Sequence, residues 1–166
     1  MLVILEGVDG SGKTTLLNQL LDKGYMCKKC LRENNDVDKS VYDFAETNRE
    51  ILIIDRSFIT DAVYRCVQGG KRESFNMRKS ARVLDSCTKI IYCTTPTSFD
   101  DAMKRGEDNI TSKGLHCALK NSYDFVMNYI EKYTNAEVMY YDWHYKSVDN
   151  VIKFIKGGDN NDTVSV

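Results

Sequence analysis

The most specific pattern in this chain is the stretch Leu2-Val-Ile-Leu-Glu-Gly-Val-Asp-Gly-Ser-Gly-Lys-Thr-Thr-Leu-Leu17. Its apolar start, Leu2 to Leu5, predicts a short buried strand. Residues 7 to 14 match the pattern G-x-x-x-x-G-K-[ST], and leucines at helical spacing follow immediately. A strand before this pattern and a helix after it are the context in which it forms an anion-binding loop, so the flanking segments make the match specific.

Each residue type in the loop suits phosphate binding. Glycines at 7, 10 and 12 let successive backbone N–H groups turn toward one point and let the chain approach an anion closely. The following helix directs the positive end of its dipole to the same point, and Lys13 adds a full charge. The Thr14 hydroxyl is placed to ligate Mg²⁺. The sequence therefore predicts that the chain binds a nucleoside triphosphate.

The composition describes one domain of balanced charge. The chain of 166 residues has 23 basic and 24 acidic side chains and a net charge of −1, which favours neither strong nucleic-acid binding nor a membrane surface. No apolar run approaches the ~18–20 residues that span a bilayer. The N-terminus opens directly into the predicted strand without an export signal, so we expect a cytoplasmic protein. The six cysteines, with Cys27 and Cys30 at C-x-x-C spacing, are interpreted as reduced and mostly buried.

Predicted strands and helices alternate along the chain. Strands are predicted at 2–5, 25–31, 51–55, 90–93 and 138–141, and helices at about 12–22, 58–67, 75–84, 99–105, 115–133 and 148–155, with a short helical pattern around 41–45. The alternation predicts a parallel sheet covered on both faces, with ligands at the C-terminal ends of the strands. We expect a single domain over 1–156, a charged lid at about 104–114 and a polar tail at 157–166.

Charged residues follow the predicted strands at this ligand-binding edge. Asp55 ends a buried aliphatic strand, where a carboxylate would hold or orient Mg²⁺. Arg56 follows at once and could bridge donor and acceptor phosphates. At the end of the second strand, Arg32 would suit an anionic acceptor, whereas Glu33 would be a base for an acceptor without a phosphate. Asp9 either shapes the loop's turn or serves an acceptor sugar hydroxyl or the metal.

Together these segments resemble the thymidylate kinase family of P-loop nucleoside monophosphate kinases, with a shortened acceptor region. The loop with its internal Asp9 is similar to the loop of that family, and residues 31–33 (Leu-Arg-Glu) are similar to its Thr-Arg-Glu-Pro segment. Residues 55–64 resemble its Asp-Arg-Tyr helix start. The similarity spans roughly 2–110. It implies an α/β P-loop NTPase fold, a five-stranded parallel sheet in the order 2-3-1-4-5 with a short lid.

The resemblance also implies roles for individual residues. The ATP phosphates would be held by Gly7, Gly10, Ser11, Gly12, Lys13, Thr14 and Thr15. Mg²⁺ would be handled by Thr14 and Asp55. The acceptor would be bound by Asp9, Arg32, Glu33, Phe44, Arg56, Thr60, Asp61 and Tyr64, with core packing as the alternative role of Phe44. Because Gly10 occupies a position that some members fill with arginine, Arg105 of the lid would be the catalytic arginine beside Lys13, Asp55 and Arg56. Residues 141–144 would contact adenine.

The preferred reading is ATP-dependent phosphorylation of a deoxynucleoside 5′-monophosphate, with dTMP converted to dTDP. Asp-Arg-Ser at 55–57 is also similar to the Glu-Arg-Ser of deoxynucleoside kinases, so a nucleoside kinase with Glu33 as its base is the alternative. A polynucleotide 5′-kinase and a nucleotide-dependent switch with little turnover are further alternatives. Members of the family commonly form homodimers, so a homodimer is also expected, although the region that forms it is shortened here.

Overall fold

The computed structural model describes residues 1–29, 51–69, 84, 88–106 and 111–157. Its centre is a five-stranded sheet made of β1 (Leu2–Glu6), β2 (Met26–Lys29), β3 (Leu52–Asp55), β4 (Thr88–Cys93) and β5 (Glu137–Tyr141). All neighbouring strands pair in parallel, in the order β2-β3-β1-β4-β5. The predicted fold class and strand order are therefore confirmed.

The helices of the described ranges are α1 (Lys13–Asp22), α2 (Phe58–Gln68), α3 (Ser98–Arg105), α4 (Lys113–Tyr133) and α5 (Val148–Ile155). α4 begins earlier than predicted because the Ser112 hydroxyl accepts a hydrogen bond from the Leu115 N–H at 3.2 Å and caps the helix. Arg105 ends α3 and Lys113 starts α4, and residues 107–110 of the predicted lid at 104–114 lie outside the described residues. The predicted helices at 75–84 and around 41–45 and the tail from 158 lie outside the described residues, apart from Leu84.

β4 begins two residues before its predicted start. Thr88 and Lys89 continue the parallel ladder beside Leu2 and Val3 of β1. Their polar side chains concealed this start, because the prediction followed the aliphatic run. The buried Lys89 ammonium donates to the Phe154 carbonyl at 2.8 Å and to Glu137 at 3.1 Å, which is how a charge is accommodated there.

Alternation of side chains along the strands divides the core into two layers. One face of the sheet, with Ile4, Ile54 and Ile90, packs beneath α2 and α4. The other face, with Ile53 and Ile91 among its members, packs against α1 and α5. Strands buried on both faces read as continuous aliphatic runs, which is why β1 and β3 were recognisable in the sequence.

The topology opens a crevice at the carboxyl ends of β1 and β4. The connection after β1 leads to β2 on one side, whereas the connection after β4 leads to β5 on the other. Adjacent parallel strands whose connections diverge leave a ligand-binding crevice between them. Residues 7 to 12, between β1 and α1, occupy this position. Within the described ranges, none of the helices combines the length and the apolarity that crossing a membrane requires.

The cysteines of the described ranges are free thiols. Cys93 is buried at the end of β4, whereas Cys66 and Cys117 are exposed on helices. The expectation of mostly buried cysteines is therefore wrong for these two. Cys27 is half-buried in β2, and its predicted neighbour Cys30 lies outside the described residues.

The packing predicts a large effect of substitution at one of two adjacent leucines of α1 and a small effect at the other. Leu20 is fully buried, whereas Leu21 is 46% exposed. We expect Leu20→Ala to lower the free energy of unfolding by about 2–5 kcal/mol because it leaves a cavity between α1 and the sheet. Leu21→Ala should change it by less than ~0.5 kcal/mol. Urea denaturation followed by circular dichroism measures both values, and equal losses would contradict this layer assignment.

Candidate active site

The loop between β1 and α1 is built from glycines that no other residue can replace without movement. Gly7, Gly10 and Gly12 have φ values of 139°, 84° and 89°, outside the range that side chains favour. A Cβ atom on Gly7 would lie 2.2 Å from the Cys93 carbonyl oxygen, and one on Gly10 would lie 2.0 Å from the Ser98 carbonyl oxygen. An arginine at position 10 therefore does not fit this packing.

Lys13 is the first residue of α1 and is buried against the loop. Its ammonium donates to the carbonyl oxygens of Gly7 and Val8, both at 2.7 Å. Burial and the nearby charge of Arg56 lower the pKa of Lys13, and Asp9 and Asp55 oppose that shift. The ammonium thus lies in the cradle that the loop forms.

A cavity beside the loop collects most of the predicted donor-side residues and several others. It is lined by Asp9, Gly10, Ser11, Gly12, Lys13, Thr14, Lys29, Asp55, Arg56 and Arg105. Four of these side chains are basic and two are acidic, so the lining has an excess of positive charge. Among the remaining loop residues, Thr15 is exposed on the first turn of α1.

Lys29 is a lining residue that the sequence reasoning missed. It ends β2 and pairs in register with Asp55 at the end of β3. Arg32, which the sequence predicts at this edge, lies outside the described residues. The signal that could have revealed Lys29 is its position at the same strand edge as Asp55.

Asp9 is held by two groups from the region after β3. Its carboxylate accepts hydrogen bonds from the Arg56 guanidinium and, at 2.8 Å, from the Tyr64 hydroxyl. Burial alone would raise the pKa of Asp9, but the charges of Arg56 and Lys13 together with these hydrogen bonds hold the pKa below its ordinary value. Asp9 is therefore ionised and faces the cavity as part of an ion pair.

Arg56 has a left-handed backbone conformation with φ of 70°, which no other non-glycine residue in the described ranges shares. Such a conformation costs on the order of 1–3 kcal/mol and persists only where the surroundings enforce it. Its guanidinium carbon lies 5.8 Å from the centre of the Tyr64 ring. The strained backbone therefore belongs to Arg56, whose guanidinium points toward the loop.

The oxygen groups at the cavity fit a magnesium ion. Asp55 is buried, and its Oδ1 atom has no hydrogen-bond partner within the described part of the chain. The Thr14 side chain lines the same cavity. Mg²⁺ prefers oxygen ligands and commonly takes only one or two from the protein. The described residues contain no group of three or more His, Cys, Asp or Glu that could hold a metal ion.

The structure does not bring all predicted acceptor residues to the cavity. The Thr60 hydroxyl is buried and committed to Glu6 at 2.6 Å and Tyr123 at 2.8 Å. Asp61 forms an ion pair with Arg65, one turn further along α2, at 2.8 Å. Neither residue lines the cavity, so their role in substrate binding stays a prediction. Arg32, Glu33 and Phe44 lie outside the described residues.

An exposed aromatic segment follows β5 and lies against the loop. Trp143 is 48% exposed, and its Cδ1 atom lies 3.0 Å from the point where a Cβ on Gly12 would be. The indole stacks on the His144 ring with centroids 3.7 Å apart. The His144 Nδ1 atom lies 2.8 Å from Asp142 and 3.1 Å from the Thr95 hydroxyl, which fixes the ring. A flat aromatic surface therefore borders the loop on the α1 side.

No protein-family model matches the chain, and a search of curated proteins finds no match. Among solved structures, the chain is similar to the YorR protein of Bacillus subtilis in complex with phosphorylated GDP, at a TM-score of 0.66 and 20% identity over 95% of this chain and 94% of that chain. It is also similar to the deoxyadenosine kinase of M. mycoides with dCMP and dCDP bound, at a TM-score of 0.62 and 20% identity over 95% and 97% of the two chains.

A third similar structure is the thymidylate kinase of Ehrlichia chaffeensis, at a TM-score of 0.54 and 16% identity over 94% of this chain and 98% of that chain. At these identities the likeness shows the fold. The chain has the fold of the P-loop nucleotide and nucleoside kinases, and the thymidylate kinase is one distant example among its structural neighbours.

Substitutions at two glycines with nearly equal φ values separate the cost of close packing in the loop from the cost of backbone strain. Gly10 and Gly24 have φ of 84° and 86°, but a Cβ on Gly24 meets nothing within 4 Å. Gly24→Ala should cost about 1–2 kcal/mol of unfolding free energy from the left-handed backbone alone. Gly10→Ala should cost a further ~1–3 kcal/mol because the Cβ displaces α3. Chemical denaturation compares the two, and equal losses would show that the loop is not packed as described.

Proposed function

We propose that this chain is a kinase that transfers the γ-phosphoryl group of ATP to a deoxynucleoside 5′-monophosphate, with dTMP as the first acceptor to test. The observation that carries the proposal is the convergence of Lys13, Lys29, Arg56 and Arg105 on one cavity beside the phosphate loop. Asp9 is paired with Arg56, and the Oδ1 atom of the buried Asp55 has no hydrogen-bond partner in the described part of the chain, so it would be available to a magnesium ion. The remaining positive charge suits two phosphorylated substrates.

On the donor side, the backbone of the glycine loop and the Lys13 ammonium would hold the triphosphate. Thr14 and Asp55 would hold Mg²⁺, which neutralises charge on the β- and γ-phosphates when it is bound. The base of a nucleotide whose phosphates are held by the loop would stack on the aromatic surface of Trp143 and His144. This arrangement supports the earlier expectation that residues 141–144 contact the donor base.

On the acceptor side, Arg56 is the group best placed to lie between the two sets of phosphates. Repulsion between a triphosphate and a monophosphate requires a cation between them, and a guanidinium can contact both. Asp9, which also accepts a hydrogen bond from the Tyr64 hydroxyl, fixes the direction of the guanidinium. Lys29 at the end of β2 adds a cation on the same side as Asp55. Transfer in line through a loose transition state then needs positioning and charge neutralisation more than covalent chemistry.

A deoxynucleoside kinase is the second candidate. It is favoured by the higher TM-score of the deoxyadenosine kinase structure, 0.62, compared with 0.54 for the thymidylate kinase. In that reading Glu33 removes a proton from the acceptor's 5′-hydroxyl. A neutral acceptor, however, gives no reason for a second lysine beside Asp55. We therefore place the monophosphate reaction first.

The proposal is tested by ADP production from Mg-ATP with dTMP, dUMP, dCMP, dAMP and dGMP, each compared with its nucleoside. We expect turnover with at least one monophosphate and little with the nucleosides. Lys13→Ala serves as the control that the activity belongs to this chain. Turnover with nucleosides alone would replace the proposal by the second candidate, and no turnover with any acceptor would overturn both.

The lid arginine is tested against its neighbour. Arg105 lines the cavity, whereas the Lys104 side chain is 78% exposed and lies 3.9 Å from Asp101. Arginines that neutralise a transferring phosphoryl group contribute about 10³-fold or more to kcat. We expect Arg105→Ala to lower kcat on that order and Lys104→Ala to leave it within about twofold. Steady-state kinetics with the best acceptor measures both, and similar effects of the two substitutions would contradict the role of Arg105.

A further inference from the structure

Glu6 is a buried carboxylate with no role assigned so far. It is the last residue of β1, directly before the phosphate loop, and has 0% of its surface exposed. Its Oε1 atom accepts hydrogen bonds from the Ser57 N–H at 2.9 Å and the Ser57 hydroxyl at 2.6 Å. Its Oε2 atom accepts from the Thr60 hydroxyl at 2.6 Å. Glu6 therefore joins β1 to the first turn of α2.

Burying a carboxylate in this position costs desolvation free energy. Burial raises the pKa of Glu6, and the hydrogen bonds from Ser57 and Thr60 and the charges of Arg56 and Lys13 offset only part of that rise. An apolar side chain of similar volume would avoid the desolvation cost, and such replacements are often neutral or stabilising. A role other than stability is therefore a reasonable explanation for the group.

What Glu6 holds is the residue after Arg56. The Arg56 N–H donates to the Leu5 carbonyl at 3.0 Å, and the Ser57 N–H donates to Glu6. Two consecutive residues of β1 thus anchor the peptide groups on either side of the Arg56 Cα atom. These anchors span the left-handed conformation of Arg56, with φ of 70°, that the backbone would otherwise avoid.

The hydroxyl of Ser57 has a fixed donor and a fixed acceptor role in this anchor. Its single hydroxyl proton goes to Glu6, while its oxygen accepts from the Ile59 N–H at 3.1 Å and caps α2. Because the Thr60 proton also goes to Glu6, the Tyr123 hydroxyl must donate to Thr60 at 2.8 Å. All donors of the network therefore point toward Glu6, and the network reaches α4 at the end farthest from Arg56.

We propose that Glu6 is a positioning residue whose carboxylate holds the Arg56–Ser57 turn, so that the guanidinium of Arg56 faces Asp9 and the transferring phosphoryl group. The carboxylate does not contact the substrates. It acts through Ser57 by keeping Arg56 in the left-handed backbone conformation, which the chain would not adopt without this anchor. In its kinetic consequence the inference rests on the proposed kinase function, whereas its structural consequence does not.

The structural consequence is tested first, with Glu6→Gln. The amide keeps the volume of the side chain but replaces one acceptor by a donor, which opposes either Ser57 or Thr60. Tyr123→Phe is the matched control, since it removes the hydroxyl at the far end of the same network. We expect the Arg56 Nε–H signal in a ¹⁵N correlation spectrum to shift in Glu6→Gln toward its position in Asp9→Asn, and to stay unchanged in Tyr123→Phe. An unchanged Arg56 signal in folded Glu6→Gln would overturn the inference whether or not the chain is a kinase.

The kinetic consequence is tested by a double-mutant cycle. Glu6→Gln should lower kcat by about tenfold or more while the KM for ATP stays within about twofold, and it should have little further effect in an Arg56→Ala background. Tyr123→Phe should leave kcat unchanged even if it lowers thermal stability. Multiplicative effects of Glu6→Gln and Arg56→Ala would mean that Glu6 acts independently of Arg56, which contradicts the inference. If the wild-type chain turns over no acceptor, the proposed function fails and the spectroscopic test alone decides.

Discussion

The ion pair between Asp9 and Arg56 ties the phosphate loop to the turn after β3. A carboxylate within a loop that binds phosphate would repel its ligand if it were left uncompensated. Here its charge is matched by Arg56 and its second oxygen accepts from Tyr64. Because both partners are largely buried, removing either one leaves a charge that the interior does not stabilise. The loop and the turn therefore depend on each other for their conformation.

The parallel sheet brings this pair together with the rest of the site. The ends of β1, β3 and β2 place Glu6, Asp55 and Lys29 at one edge. The N-terminal end of α3 packs closely on Gly10, and Arg105 at the other end of α3 lines the cavity. The position of Arg105 is therefore tied to that of the loop through α3. The site is thus assembled from short segments, each fixed by a strand end or a helix terminus, and none of the described residues needs a long loop to reach it.

Much of this arrangement was accessible from the sequence, for identifiable reasons. The glycine spacing predicts the phosphate loop, and the aliphatic runs predict the buried strands. The strand order is implied by the resemblance. The contributions of Glu6 and Lys29 were not accessible in this way. The role of Glu6 depends on donors from Ser57 and from Thr60 of α2, and that of Lys29 depends on the register of β2 with β3.

Helical geometry explains where the predicted acceptor residues of α2 lie. On α2, Thr60 and Tyr64 lie four residues apart and share the buried face, so both turn toward β1 and the loop. Asp61 and Arg65 have the same spacing one residue later and pair with each other on the outer face. The helical phase therefore separates Tyr64, whose hydroxyl reaches Asp9, from Asp61, which pairs with Arg65.

The proposed monophosphate reaction requires the cavity beside the loop to accommodate a triphosphate and an acceptor phosphate together. Its most direct test is calorimetric binding, with Mg²⁺, of adenosine joined to deoxythymidine through five phosphates, compared with the same pair joined through three. A site that holds both phosphorylated substrates for in-line transfer should bind the longer compound at least about tenfold more tightly. Tighter binding of the shorter compound, or equal binding of the two, would contradict a monophosphate acceptor.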